Sequence, residues 1–327
     1  MKSTSALLAT LLVSQLGIAM SHAAGTQVQP NTFIKVTTDR TNAIYKVGEK
    51  VVFHVTLATN AQSSVSELSW ILTLDGASVL GQGTLSLTSG TTIVEGTLDQ
   101  PGVLQLKVTP KDNADKLGTG MAGAAFDPYT IKPTAKLPAD FEAFWNDQKS
   151  ALPKIPLDPK ITPVSQGDPD VELYEVSFAN IAAALDPRIT AVVSIAPALG
   201  EHTGPLYGRP DAAPNNLIMG RDKKTPDPKI VASTAYYDTV NFARFVKVPV
   251  LMSSGLIDTA CPAMTVLSIY NTLNCPKQLD LVPLLGHNRG PRFDDMKNHF
   301  MVEQVGILDH SGRTTTSVNM GAPIFKK

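Results

Sequence analysis

The stretch from Val248 to Gly290 constrains the fold more than any other. Val248–Met252 is an apolar run too short for a helix, which predicts a buried strand. Asp258 follows just past its end. Pro262 then opens a segment whose apolar residues Met264, Leu267, Ile269 and Leu273 recur at helical spacing. Leu279–Leu285 is a second apolar run, closed by Gly286, His287, Asn288, Arg289 and Gly290. Strand, acidic turn, helix, strand and His-bearing turn together describe a parallel β-α-β unit. In an open parallel sheet, groups just beyond the C-terminal ends of neighbouring strands share one crevice. Asp258 and His287 are therefore candidates to face each other across 29 positions of sequence, as the acid and base of a nucleophilic triad do. The same residues admit a plainer reading, with Asp258 capping the helix near Pro262 and His287 filling a turn.

The 327 residues are 43% hydrophobic and 17% charged with a formal net charge of -1, enough apolar material for two cores. No basic block offers a footprint for nucleic acid. Residues 1–24 have the form of a signal peptide. Lys2 precedes a mostly apolar stretch from Ala6 to Met20, and Ser21, His22, Ala23 and Ala24 offer a small-residue cleavage site. That predicts a secreted or periplasmic protein with no stable membrane insertion after cleavage. The two cysteines, Cys261 and Cys275, flank the helix after the acid turn. Bridging them across such a helix is geometrically awkward, so free thiols are expected. No grouping of Cys and His suggests zinc, and nothing calls for a cofactor.

Residues 25–110 read as a β-sandwich domain. Val51–Leu57, Leu68–Leu74, Thr84–Leu87, Thr92–Leu98 and Val103–Val108 are short strand-like runs, punctuated at Asp75-Gly76, Ser89-Gly90 and Gln100-Pro101-Gly102. Trp70 is expected in the core, and His54 on the polar face of its strand. Residues 111–134, rich in Gly, Ala and Asp, read as a linker or a piece of edge strand. Residues 135–310 read as an α/β domain. Pro138–Leu152 places Phe141, Phe144 and Trp145 at helical spacing, for an aromatic stripe against a sheet. Val171–Phe178 alternates as an edge strand should, and Ile189–Ile195 is a further strand. His202 and Asp211 lie in a polar segment, His299 lies on a terminal helix from Asp294 to Val305, and His310 stands alone. Residues 311–327 read as a tail.

Several stretches together resemble one family. GLIDTACPAMTVLSIYNTL followed by PKQLDLVPLLGH, LPADFEAFWNDQKSAL from Leu137, DPRITAVVSIAPALGEH from Asp186 and TAYYDTVNFARFVKVPVL from Thr234 are similar to the acetyl xylan esterase and cephalosporin-C deacetylase family of α/β-hydrolases. The opening YKVGEKVVFHVTL from Tyr45 resembles an immunoglobulin-like or fibronectin-like module. The resemblance implies a mixed architecture, an immunoglobulin-like β-sandwich followed by a truncated α/β-hydrolase domain. It implies Asp258 as triad acid and His287 as triad base. Small-molecule or polysaccharide acetyl esters are the implied partners, and an oligomer is permitted because the family often forms rings.

The family's serine sits in a Gly-x-Ser-x-Gly turn, and no such pattern occurs in this sequence. Asn180 passes directly into Ile181, Ala182, Ala183, Ala184 and Leu185, where family members carry a long additional stretch with the nucleophile and both oxyanion donors. The expectation is an exported esterase-like protein that is inactive or much impaired. The alternatives are a non-catalytic exported protein that binds saccharide or serves a structural role, and a shortened product of a complete gene that has lost the segment at this junction.

Overall fold

The computed structural model describes residues 33–58, 67–86, 90–111, 118–151, 179–187 and 189–305. The leader expected at 1–24, the strand expected at Val171–Phe178, His310 and the tail expected at 311–327 lie outside these residues.

The N-terminal half contains eight strands: β1 (Ile34–Thr38), β2 (Ile44–Tyr45), β3 (Val51–Leu57), β4 (Glu67–Leu74), β5 (Ser78–Ser86), β6 (Thr91–Gly96), β7 (Gly102–Pro110) and β8 (Gly120–Phe126). They form a three-stranded sheet, β1-β3-β6, and a five-stranded sheet, β2-β8-β7-β4-β5. β3 follows its alternation: Val51, Phe53, Val55 and Leu57 are buried while His54 is exposed. Trp70 is only partly buried, lying against the core. The larger sheet is mixed, because β2 runs parallel to β8 while the β8-β7, β7-β4 and β4-β5 pairs are antiparallel. This topology is not clearly that of an immunoglobulin sandwich.

The expected linker at 111–134 holds one of these strands. β8 lies between β2 and β7, inside the sheet. Its sequence, GMAGAAF, is small-residued because both faces are covered at close range. A Cβ at Gly123 would stand 2.5 Å from the Leu256 carbonyl oxygen in the other half of the chain. Glycine and alanine here permit a close approach between sheets, a use of small residues that composition cannot distinguish from flexibility.

The C-terminal half is a parallel-sheet region of α/β-hydrolase type. It comprises α1 (Phe141–Ala151), α2 (Ala179–Leu185), β9 (Val192–Ile195), α3 (Pro228–Thr234), α4 (Thr239–Ala243), β10 (Val250–Gly255), α5 (Ala263–Thr272), β11 (Lys277–Val282) and α6 (Phe293–Val305). The sheet order is β11-β10-β9, both pairs parallel. Every residue of β10 is buried. Val250 and Met252 pack in one core with Val266 and Ile269 of α5, and Leu251 packs with Phe293 and Phe300 of α6. The aromatic stripe of α1 meets rings rather than a sheet. Phe141 stacks on Phe245 at 5.4 Å and meets Phe242 edge-on at 5.2 Å. Trp145 Nε1 donates to the Tyr236 carbonyl at 2.9 Å.

The two halves share a core in which Val103 and Ala125 pack against Leu256, Met264 and Leu267. β7 serves both sides, with Leu104, Leu106 and Val108 in the β-core and Val103 and Gln105 turned toward the α/β half. The Gln105 side-chain amide donates to the Leu256 carbonyl at 2.9 Å and to Asp75 Oδ1 at 2.7 Å. Asp75 Oδ2 in turn accepts from the Met264 amide at 2.6 Å, holding the start of α5.

Candidate active site

The backbone beyond β10 and β11 places the Asp–His pair. After Gly255 the chain makes two more bonds to its neighbour, Leu256 N to the Val282 carbonyl at 3.0 Å and, past a shift in register, Ile257 N to the Leu285 carbonyl at 3.1 Å. Gly255 is required here. A Cβ would lie 2.0 Å from the Leu285 oxygen and 2.8 Å from that of Gly286. The missing side chain lets residues 285–286 cross the end of β10 and deliver His287 above the acid turn.

In that turn the Asp258 carboxylate is buried, with its two oxygens doing different work. Oδ1 accepts from the amides of Ala260 at 2.8 Å and Cys261 at 2.9 Å. Oδ2 meets His287 Nδ1 at 2.9 Å. The plainer reading of Asp258 as a local cap is thus half of the arrangement, because one oxygen caps and the other holds the imidazole. The His287 side chain is 39% exposed, so one edge of the ring is open to solvent. Its pKa is pushed up to about 10, first by the hydrogen bond to Asp258 and next by contact with the Cys261 thiol, against a smaller opposing effect of burial. The ring therefore keeps both protons at neutral pH.

Both cysteines are free, and Cys261 is buried. The signal for its position was available: it lies three residues beyond Asp258 in the same tight turn. The remaining sequence candidates do not join the pair. His299 is exposed on α6. His202 and Asp211 are both buried and interact electrostatically in a separate place. Among the described residues no cluster of His, Cys, Asp and Glu could hold a metal ion, and no helix is long and apolar enough to cross a membrane.

A parallel sheet flanked by helices, with a buried carboxylate gripping a half-open imidazole beyond adjacent strand ends, defines a hydrolase-type architecture. The family described as acetyl xylan esterase (AXE1) matches residues 127–208 and 179–304, together more than half of the chain. The protein belongs to the acetyl xylan esterase family. The acetyl esterase Axe7A of Xylanibacter ruminicola is 37% identical over 111 residues, which is 34% of this chain and 25% of that protein. The chain thus matches about a quarter of the length of this relative. Among solved structures, acetyl xylan esterase 1 of a Thermoanaerobacterium species is 16% identical with a TM-score of 0.33, covering 84% of this chain and 88% of its own. The acetyl xylan esterase of a Paenibacillus species is 15% identical with a TM-score of 0.34, covering 84% and 90%.

Proposed function

We propose that the protein is an exported carbohydrate acetyl esterase homologue that keeps the acid–base half of a hydrolytic triad and lacks the nucleophilic half. Asp258 is the acid and His287 the base. The observation that carries this is the 2.9 Å contact between Asp258 Oδ2 and His287 Nδ1 at the ends of adjacent parallel strands. Family membership and the acetyl esterase relative supply the substrate class, acetyl groups on sugars. Lys2, the apolar stretch Ala6–Met20 and the small residues up to Ala24 support export.

In the complete reaction a serine attacks the acetyl carbonyl, the imidazole takes its proton and passes it to the leaving alcohol, and amide donors hold the oxyanion. Asp258 holds the ring through Nδ1, which turns Nε2 toward where a reacting oxygen would stand. The sequence contains no Gly-x-Ser-x-Gly turn. An imidazole that holds its proton to about pH 10 is also a poor general base at neutral pH. Loss of the nucleophile from a triad costs on the order of a millionfold in turnover. The second reading is a protein that binds saccharide without turning it over.

The test is acetate release from acetylated xylan and from 4-nitrophenyl acetate, comparing the wild type with His287→Ala. The two should be indistinguishable and close to the buffer rate. Sustained turnover by the wild type that His287→Ala abolishes would mean that a nucleophile is present, contrary to the proposal.

A further inference from the structure

The acid turn, residues 256–262, joins β10 to α5 and carries Asp258 and Cys261. Its own bonds secure only its middle, where Asp258 Oδ1 gathers the Ala260 and Cys261 amides. On one side the Leu256 amide is tied to the Val282 carbonyl beyond β11. The other side, and the far end of the turn, are held by the N-terminal half of the chain.

α5 begins without a cap of its own. Pro262 stands at the N-cap position and offers no side-chain oxygen to the amides that follow. The first amides of a helix have no partner within it and need acceptors from outside. The Met264 amide, second in α5, is met at 2.6 Å by Asp75 Oδ2, from the turn between β4 and β5 and 189 residues away in sequence. Asp75 is the N-cap of α5, supplied by the other half.

The same side chain reaches the near end of the turn through Gln105. The Gln105 Nε2 group spends one hydrogen on Asp75 Oδ1 at 2.7 Å and the other on the Leu256 carbonyl at 2.9 Å. One carboxyl–carboxamide unit, buried at both residues, therefore staples residue 256 to residue 264 across the acid turn. The unit is itself fixed. The Asp75 amide donates to the Val103 carbonyl at 2.8 Å, and Ala77 N closes the turn on the Leu74 carbonyl at 2.9 Å. That turn needs left-handed backbone at Asp75 and Gly76, φ 46° and 82°, and aspartate is one of the few side chains that tolerate it. Asp75 also feels the charge of Asp258, which helps to push its pKa up, so the staple and the acid are electrostatic neighbours.

We propose that Asp75 and Gln105 are positioning residues for the Asp258–His287 pair, so that the N-terminal half is part of the site and not a module beside it. Neither side chain meets a reacting atom. They fix where the acid turn starts and where it ends, and the bond between His287 Nδ1 and Asp258 Oδ2 weakens steeply once Asp258 shifts. That the pair is an acid and a base rests on the reading above; the staple that sets its geometry does not.

The experiment is NMR titration of His287 in the full chain, for the wild type, Gln105→Met and Leu106→Ala, with urea unfolding of each. Gln105→Met keeps the length of the buried side chain and removes both of its hydrogen bonds. Leu106, the next residue of β7, turns into the β-core, so Leu106→Ala weakens the N-terminal half without touching the staple. His287 should titrate about one unit lower in Gln105→Met, a roughly tenfold weaker hold on its proton, and at the wild-type value in Leu106→Ala. Asp75→Ser, which releases the Met264 amide, should lower it likewise and serves should Gln105→Met fail to fold. An unchanged His287 in a folded staple variant would overturn the proposal. An equal fall in Leu106→Ala would also overturn it, because lost stability alone would then loosen the pair. None of these readouts needs turnover, so acetate release tests the missing nucleophile separately.

Discussion

Asp75 gives the sharpest energetic prediction, because a buried carboxylate joins the two halves of the chain. It is 1% exposed, and burial pushes its pKa up to about 7 despite the Met264 amide, with the Asp258 charge adding to the rise. The ordinary value is about 3.9. Between these values the folded protein keeps a proton that the unfolded chain has lost, so stability falls as pH rises from about 4 to about 7 and then levels. A shift of about three pKa units corresponds to roughly 4 kcal/mol across that window. Asp75→Asn cannot ionise. Its carboxamide oxygen still accepts from Met264, but the Gln105 amide must turn over to meet the new NH2 group and loses the Leu256 carbonyl. That costs about 1 kcal/mol at every pH. The wild type should therefore be the more stable at pH 4 and the less stable at pH 8. Urea unfolding reads this through Trp70 in the β half and Trp145 in the α/β half, the two tryptophans of the chain. His202 and His287 titrate in both proteins, so the difference between them isolates Asp75. A difference that stays flat from pH 4 to pH 8 would refute a neutral, buried Asp75.

Two further outcomes follow from the site. His287 should titrate far above 7 by heteronuclear NMR, and Asp258→Asn should bring it back toward the usual histidine range near 6.5. Because the folded value is the higher one, the stabilisation is complete below about pH 6.5 and is lost as pH rises toward 10. Gly255→Ala puts a methyl group into the path of residues 285–286 and should destabilise by about 3 kcal/mol or more. The same substitution should abolish the high His287 pKa, since the crossing that brings the ring to Asp258 cannot be kept.

The legible parts of the sequence were those where one period or one turn decided the structure. Val51–Leu57 alternates because one face meets a core, and the strand occupies those seven residues. The β10–α5–β11 unit was readable from apolar runs and turns, with boundaries displaced because Ser253, Ser254 and Gly255 continue β10 in a polar register. β8 was legible only as a linker or an edge strand, not as the interior strand it is, since alanine and glycine serve a close approach as readily as a linker. β5 was read short for a related reason. Gly81 and Gly83 look like turn residues, but they make room for the Trp70 ring, whose atoms lie 3.5 and 3.0 Å from where their Cβ atoms would be. Asp258 and His287 could be paired because parallel strand ends converge by rule. No rule of spacing brings His202 beside Asp211, or sets Asp75 under α5, because those contacts arise where separate segments fold against one another.

The most direct measurement is intact-mass analysis after treatment with a fluorophosphonate, which phosphonylates a serine only when a neighbouring imidazole activates it. A triad without its nucleophile predicts an unchanged mass, both in the wild type and in His287→Ala. Stoichiometric labelling of a serine in the wild type, lost in His287→Ala, would show a complete catalytic site and contradict the proposal.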